Sequence, residues 1–415
     1  MPCQFCELAN NSVAQEIAFL PGAVVNSRPI GSDMERPVFQ PVGTPVYEID
    51  TPALVVDLVA MELNIEVMHS YFRQSSAKLR PHVAGHQCPQ IAHRQLDAGG
   101  TVGGISVNTV GEAEVFSESG INNILVASQI VTPAKIRRLC SVAQRSRVAV
   151  AVDNAKNVDD LAEAAQAVGV TLEAMVELDA GRGASGIAPG QVALDLARQI
   201  SKSAGLHFGG LMAIPPVPGP MPGSKEEGGE GIYPNHVELQ QEAVRRLQPV
   251  LETRKSIESD GLGVPNVSVG GTWLYDIAGE MPGITEVQAG TYPLMDYESC
   301  QLRGEFSQAA KILTQVISHP VKDRAVLDAG HKATGPDLGL PVLEGFAGAK
   351  ATRFSAEHGS LELEGEAMGH FNSGDKAWLL PHHLGLCLNQ YDYIRAVRDG
   401  KLEGFWLMSG RGRFG

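Results

Sequence analysis

From Tyr47 onward the chain repeats one pattern: a short apolar or β-branched run, a glycine or polar turn, then a segment with apolar residues at helical spacing. The predicted strands are Lys78–Val83, Gly104–Val107, Asn123–Ala127, Arg147–Val152, Thr171–Leu178, His207–Ala213, Asn266–Val269 and Thr285–Gln288. The predicted helices are Pro89–Ala98, Val110–Ser119, Pro133–Val142, Val158–Val168, Pro189–Ser203 and His236–Ile257, with Pro133 suited to a first helical turn. Runs such as Val148-Ala149-Val150-Ala151-Val152 are apolar throughout, as strands covered on both faces must be. Strands alternating with helices imply βαβ units and a parallel sheet. Eight such units over about 220 residues fit a closed (β/α)8 barrel better than an open sheet.

Beyond residue 300 the texture changes. Short strands such as Leu361–Glu364 and Lys376–Leu380 are separated by turns, and no long helix is expected, so this part reads as a β domain. Its first strand is expected to pair with the stretch that precedes the barrel. The expected division is an extension at 1–45, a barrel at 46–298 with 46–56 joining the β domain, and the β domain at 299–415. The loop Pro215–Gly231 is rich in proline and glycine, and its length suits a lid or a disordered segment.

Composition narrows the class. The chain has 415 residues, enough for two domains, with 43% hydrophobic and 19% charged residues. A net charge of -14 and the lack of a basic stripe argue against nucleic acid or an acidic membrane as partner, and no long apolar run predicts a membrane span. The N-terminus shows no convincing secretory signal. Six scattered cysteines suit a reducing cytoplasm rather than a disulfide framework. Cys3 and Cys6 form a close pair with no second pair nearby, which fits a loose tail better than a zinc knuckle.

In a barrel, chemistry collects at the C-terminal ends of the strands. Arg80-Pro81-His82-Val83-Ala84-Gly85-His86-Gln87-Cys88 brings two imidazoles and a thiol to such an end, where histidine serves as base, acid or ligand, or simply bonds the backbone of a loop. Ser268-Val269-Gly270-Gly271-Thr272 offers small residues and a hydroxyl to an anion, although a plain tight turn would look the same. Glu177-Leu178-Asp179-Ala180-Gly181-Arg182 ends a strand in an acidic–glycine–arginine turn, and Tyr292 with Asp296 follows the last one. In the β domain, His331, His358, Asp375, His382, His383 and Cys387 are of types that hold a divalent metal.

Taken in order, Thr51-Pro52-Ala53-Leu54-Val55-Val56-Asp57, Leu79-Arg80-Pro81-His82, Gly111-Glu112-Ala113-Glu114-Val115, Gly186-Ile187-Ala188-Pro189-Gly190, Ser268 with Gly270-Gly271-Thr272, Asp328-Ala329-Gly330 with Lys332, Glu357-His358-Gly359 and Pro381 with His383 resemble the D-threonine aldolase / D-serine dehydratase family. The resemblance runs from about residue 45 to the C-terminus. It implies an alanine-racemase-like barrel, a homodimer, pyridoxal phosphate (PLP), a divalent metal, and cleavage or dehydration of β-hydroxy D-amino acids. It also places the family's aldimine lysine at Ala84, its ring arginine at Ala184, its ring tyrosine at Ile214 and the metal partner of the histidine at Gly385. Lys78 lies six residues before Ala84, roughly 20 Å away on an extended strand, so a lysine-bound PLP is not expected. Arg182 stands two residues from Ala184 as a substitute.

The residues expected to act are His82, His86 and Arg182. Those expected to hold an anionic group are Ser268, Gly270, Gly271, Thr272 and Tyr292, and a metal is expected at His383 with His358 or Cys387. The expected activity is a divergent lyase acting on a small β-hydroxy substrate. A noncovalent PLP enzyme and a non-catalytic binder of small anions or a partner are the alternatives.

Overall fold

A computed structural model of the chain describes residues 40–219 and 233–415. The Cys3–Cys6 pair and the loop residues 220–231 lie outside the described residues.

The strands are β1 (Ala53–Asp57), β2 (Lys78–Pro81), β3 (Ile105–Val107), β4 (Asn123–Gln129), β5 (Arg147–Val152), β6 (Leu172–Glu177), β7 (Leu206–Ala213), β8 (Asn266–Gly270) and β9 (Glu286–Ala289). They continue as β10 (Ala310–Val321), β11 (Arg324–Leu327), β12 (Val342–Leu343), β13 (Ala349–Phe354), β14 (Gly359–Leu363), β15 (Lys376–Leu380), β16 (Tyr393–Arg398) and β17 (Lys401–Leu407). The first helices are α1 (Leu58–Gln74), α2 (Pro89–Asp97) and α3 (Val110–Glu118).

Strands β2 to β9 form one parallel sheet in the order β2-β9-β8-β7-β6-β5-β4-β3. Isolated parallel bridges Leu79↔Thr101 and His82↔Ser106 bring its two ends together, closing the (β/α)8 barrel that the alternating pattern predicts. The seam is thin for a reason written in the sequence. The N–H groups of Lys78 and His82 bond toward β9, while that of Leu79 bonds Gly100 on the other side. The next residue facing the seam is Pro81, which has no N–H to give.

Local signals set the helix ends. Thr109 and Glu112 form a capping box at the start of α3, Thr132 and Pro133 open the helix Pro133–Ala143, and Gly169 in the left-handed conformation ends Ala155–Val168. Helix α1 has no counterpart among the helices predicted from the sequence. Its buried face runs Leu58, Met61, Asn64, Ile65, Met68, His69, Phe72, and the two polar residues in that stripe break the apolar period. Asn64 is satisfied by the carbonyls of Pro293 and Ser307, and His69 by Gly99 and Tyr292.

The remaining strands build a mixed sheet, β13-β14-β11-β10-β1-β16-β17, with β15 also on β10 and β12 on β15. Strand β1 enters it between β10, antiparallel, and β16, parallel, so the path runs from this sheet through α1 into the barrel and returns. Among the described residues no helix is long and apolar enough to cross a membrane.

Inside the barrel the apolar half is Leu125, Ala149, Ala151, Met175 and Met212, from β4 to β7. The end near the strand starts is plugged by polar groups. Arg80 makes a two-pronged pair with Glu286 at 2.7 and 2.9 Å and also reaches Asn123.

Candidate active site

A cavity of about 790 Å³ opens at the C-terminal ends of the barrel strands, where the mouth meets the loop His383–Gly385 of the β domain. His82, one residue past β2, lines it and is half-buried. Desolvation holds its imidazole down at about 4, opposed by the ring's interaction with the Asn108 side chain, which accepts from it, so it is a neutral base at physiological pH.

Glu177, the last residue of β6, lines the opposite wall, four strands from β2 either way round the barrel. Burial raises its carboxyl pKa, while Gln129 and Ser185 donate to its two oxygens, Ser185 at 2.9 Å. Glu177 is not among the residues expected to act, although a carboxylate that ends an otherwise largely apolar strand marks it in the sequence. Arg182 is exposed at the rim of the same wall. Its turn is fixed by Asp179, whose Oδ1 accepts the N–H groups of Gly181, Arg182 and Gly183; these bonds, that of Gly183 foremost, hold the carboxylate below its usual range.

Gly270, Gly271 and Thr272 also line the cavity. Gly271 adopts φ +122°, open to glycine, and Thr272 accepts the N–H of Thr291 at 3.2 Å, leaving its hydroxyl proton free to donate.

Four expectations need correction. His86 borders the cavity but is not available as a base: Nδ1 accepts the N–H of Cys88 at 3.1 Å and Nε2 faces Gln95 Oε1 at 3.0 Å. Tyr292 is fully buried and outside the cavity lining. Its hydroxyl accepts from Gln95 at 2.7 Å and meets His69 Nε2 at 2.8 Å. One donor direction satisfies the whole chain His86–Gln95–Tyr292–His69–Gly99 with both histidines neutral, and burial holds both imidazoles at about 4. Ser268 is likewise fully buried and bonded to Gln288, beneath the cradle rather than in it.

The fourth correction concerns the metal. His383 lines the cavity, its Nδ1 accepting the N–H of Leu386. His358 is exposed on a turn closed by Ser355, and Cys387 is fully buried with its thiol pKa pushed well up by desolvation. Neither lines the cavity, and among the described residues no group of three or more histidine, cysteine or acidic side chains could hold a metal.

Asp296 lines the cavity after the last barrel strand. It caps the helix Tyr297–Leu302 through Ser299 and accepts the N–H of Leu384 at 3.2 Å, tying the β-domain loop to the barrel mouth.

Residues 56–261 match the family described as "Alanine racemase, N-terminal domain", and residues 309–397 the one described as "Putative serine dehydratase domain". The chain is 32% identical over 380 residues to the D-threonine aldolase of Arthrobacter sp, covering 91% of this chain and 96% of that one. It is 33% identical over 376 residues to the 3-hydroxy-D-aspartate aldolase of Paracoccus denitrificans, covering 88% and 93%. The crystal structure of D-threonine aldolase from Filomicrobium marinum superposes with a TM-score of 0.82 at 32% identity, covering 90% of this chain and 99% of that one. With this identity along nearly its whole length, and with this barrel and β domain, the chain belongs to the D-threonine aldolase / D-serine dehydratase family.

Proposed function

We propose that the protein is a lyase that splits or dehydrates a small β-hydroxy substrate without a lysine-bound PLP. One observation carries this reading. Ala84, Ala184, Ile214 and Gly385, the positions matched to the family's lysine, arginine, tyrosine and metal partner, all line the same cavity. The replacements therefore fall together on one chemistry, while the barrel around them is intact.

A lysine-bound PLP does not fit these residues, because no lysine is among the described residues lining the cavity. A metal held by three side chains does not fit either. The groups that line the cavity include a neutral imidazole on one wall, a carboxyl of raised pKa on the other, an arginine at the rim and a glycine–threonine cradle between them.

With no cofactor as electron sink, the substrate carries its own carbonyl. Arg182 attracts an anionic group to the rim, and the cradle of Gly270, Gly271 and Thr272 receives an oxygen through backbone and hydroxyl donors. His82 removes the β-hydroxyl proton, the C–C bond breaks, and its electron pair passes into the carbonyl as an enolate. The proton then returns to carbon, leaving an aldehyde and a shorter carbonyl compound. Glu177 is placed to hold or supply a proton from the opposite side.

The test is turnover of a panel of β-hydroxy keto acids and β-hydroxy D-amino acids, with and without added PLP, read as aldehyde or keto acid released. Release from a β-hydroxycarbonyl compound without PLP is the expected result. Turnover only with added PLP would replace this reading by a noncovalent PLP enzyme. Silence on every compound in both conditions would replace it by a non-catalytic binder.

A further inference from the structure

We propose that the segment Met408–Arg413 is a positioning strap that holds the thin seam of the barrel and, through it, the setting of His82. The inference rests on His82 being a working group of the cavity, but its test reads the imidazole directly and needs no substrate.

The seam between β2 and β3 carries two isolated bridges, one at His82 itself. Beyond it, two loops form the adjacent lips of the cavity, His82–Gln87 and Asn108–Thr109. The strap bonds both. Gly410 N–H donates to Gln87 O at 3.0 Å, and Thr109 Oγ1 donates to Arg413 O at 2.5 Å. Its root is fixed on the β domain: Met408 is buried with its N–H on Asp392 O, and the Arg411 guanidinium pairs with the Asp392 carboxylate.

The lip that receives Gly410 is strained. Gln87 has φ +54°, a left-handed conformation unfavourable to a non-glycine residue, and it persists only where surroundings enforce it. The strap comes close to do so: a Cβ on Gly410 would stand 3.1 Å from Gln87 Cβ and 3.2 Å from its carbonyl oxygen. The two lips are joined beneath the strap. Glu112 accepts the N–H groups of Asn108 and Thr109 at 2.8 and 3.2 Å, and the Gln87 side chain stands close enough to its carboxylate to lower its pKa. The Asn108 side chain in turn stands close enough to His82 to act on its pKa. A displacement of the strap thus reaches the imidazole through Gln87 on one side and Asn108 on the other.

Gly111 gives a way to lift the strap without entering the cavity. A Cβ there would meet Arg413 O at 2.9 Å and Arg413 Cβ at 3.0 Å. In an ordinary helix, Gly→Ala is stabilising, so a loss here isolates the clash. The experiment compares the full-length protein with Gly111→Ala by NMR titration of the histidines, the His82 signal being identified by its loss in His82→Gln. Amide exchange is followed on the same samples. Release of the strap, seen as faster exchange at Gly410–Arg413, should raise the His82 midpoint by at least about one unit toward the ordinary value. It should also speed exchange at Gln87 and Asn108 about tenfold and leave His69 unmoved. An unmoved His82 midpoint with the strap released would overturn the proposal. So would an equal shift at His69, which would mean general loosening. A chain ending at Met408 provides the same reading should the helix, rather than the strap, yield in Gly111→Ala.

Discussion

The two ends of the barrel handle polarity in opposite ways. At the end near the strand starts, Arg80 is almost fully buried and four of its five N–H donors are used, on Glu286, Asn123 and the Ile105 carbonyl. At the C-terminal end the lining includes alanines, glycines, an imidazole held neutral and a carboxyl held toward its neutral form. One end is a finished plug whose groups satisfy each other. The other leaves room and groups for something else. The difference shows that the small residues lining the open end do not reflect a barrel that has lost polar residues in general.

The largest effect is expected at the plug. Arg80→Met leaves the buried Glu286 without its partner, and removal of one member of a buried pair destabilises by about 3–5 kcal/mol. Urea denaturation of Arg80→Met and of the double variant Arg80→Met/Glu286→Leu separates the cases: the double variant should recover most of the loss. If the single variant is as stable as the parent, the plug is not the closed structure described.

At the open end, His82→Asn should lower turnover of whichever β-hydroxycarbonyl compound of the panel is cleaved by about 10²-fold or more, the scale of a removed general base. Its unfolding midpoint should move little, because His82 is a half-buried lining residue. A variant that loses stability and keeps turnover would make His82 a structural residue and erase the contrast between the ends.

The buried chain His86–Gln95–Tyr292–His69 lies between these extremes, close to the cavity yet fully satisfied. Tyr292→Phe strands the Gln95 donor and the His69 acceptor, a loss of about 1–3 kcal/mol in urea denaturation. The two imidazoles of this chain, together with His82, set a pH dependence. His69, His82 and His86 are held at about 4, below the ordinary 6.5, so the unfolded chain takes up protons first as pH falls. Their contribution is complete above about 6.5 and is lost as pH falls from there toward 4. Urea midpoints at pH 7 and pH 5 should differ in that direction, and equal midpoints would show that these imidazoles are free to protonate in the fold.

Much of the scaffold was legible because a strand covered on both faces must be apolar along its length, and caps such as Thr109 with Glu112 mark where helices begin. Helix α1 was not, because Asn64 and His69 sit in its buried stripe and their partners are residues far along the chain. The site divides the same way. His82 and Gly270–Thr272 could be placed at strand ends from the pattern alone. The engagement of His86 and Tyr292 could not, since it depends on Gln95 from α2 and His69 from α1, joined only in three dimensions. His383, His358 and Cys387 share a stretch of sequence rich in metal-binding types, but one faces the cavity, one faces solvent and one faces the core.

The smallest effect on stability, and the sharpest on the contrast, is expected from Ala84→Lys. Ala84 lines the cavity and is half-buried, so a lysine can extend its stem along the wall and its amine into open space without displacing the core. The change in urea denaturation should stay within about 1 kcal/mol. If the open end differs from the family's site chiefly by its missing side chains, this variant should develop visible absorbance with PLP that borohydride makes permanent, while the parent should not. The phosphate would be received by the backbone of Gly270 and Gly271 and the Thr272 hydroxyl, and Thr272→Val should then weaken uptake of PLP by the variant. If Ala84→Lys stays colourless with an unchanged fold, the cradle itself has been rebuilt, and the open end is committed to a different ligand at β8 as well as at β2.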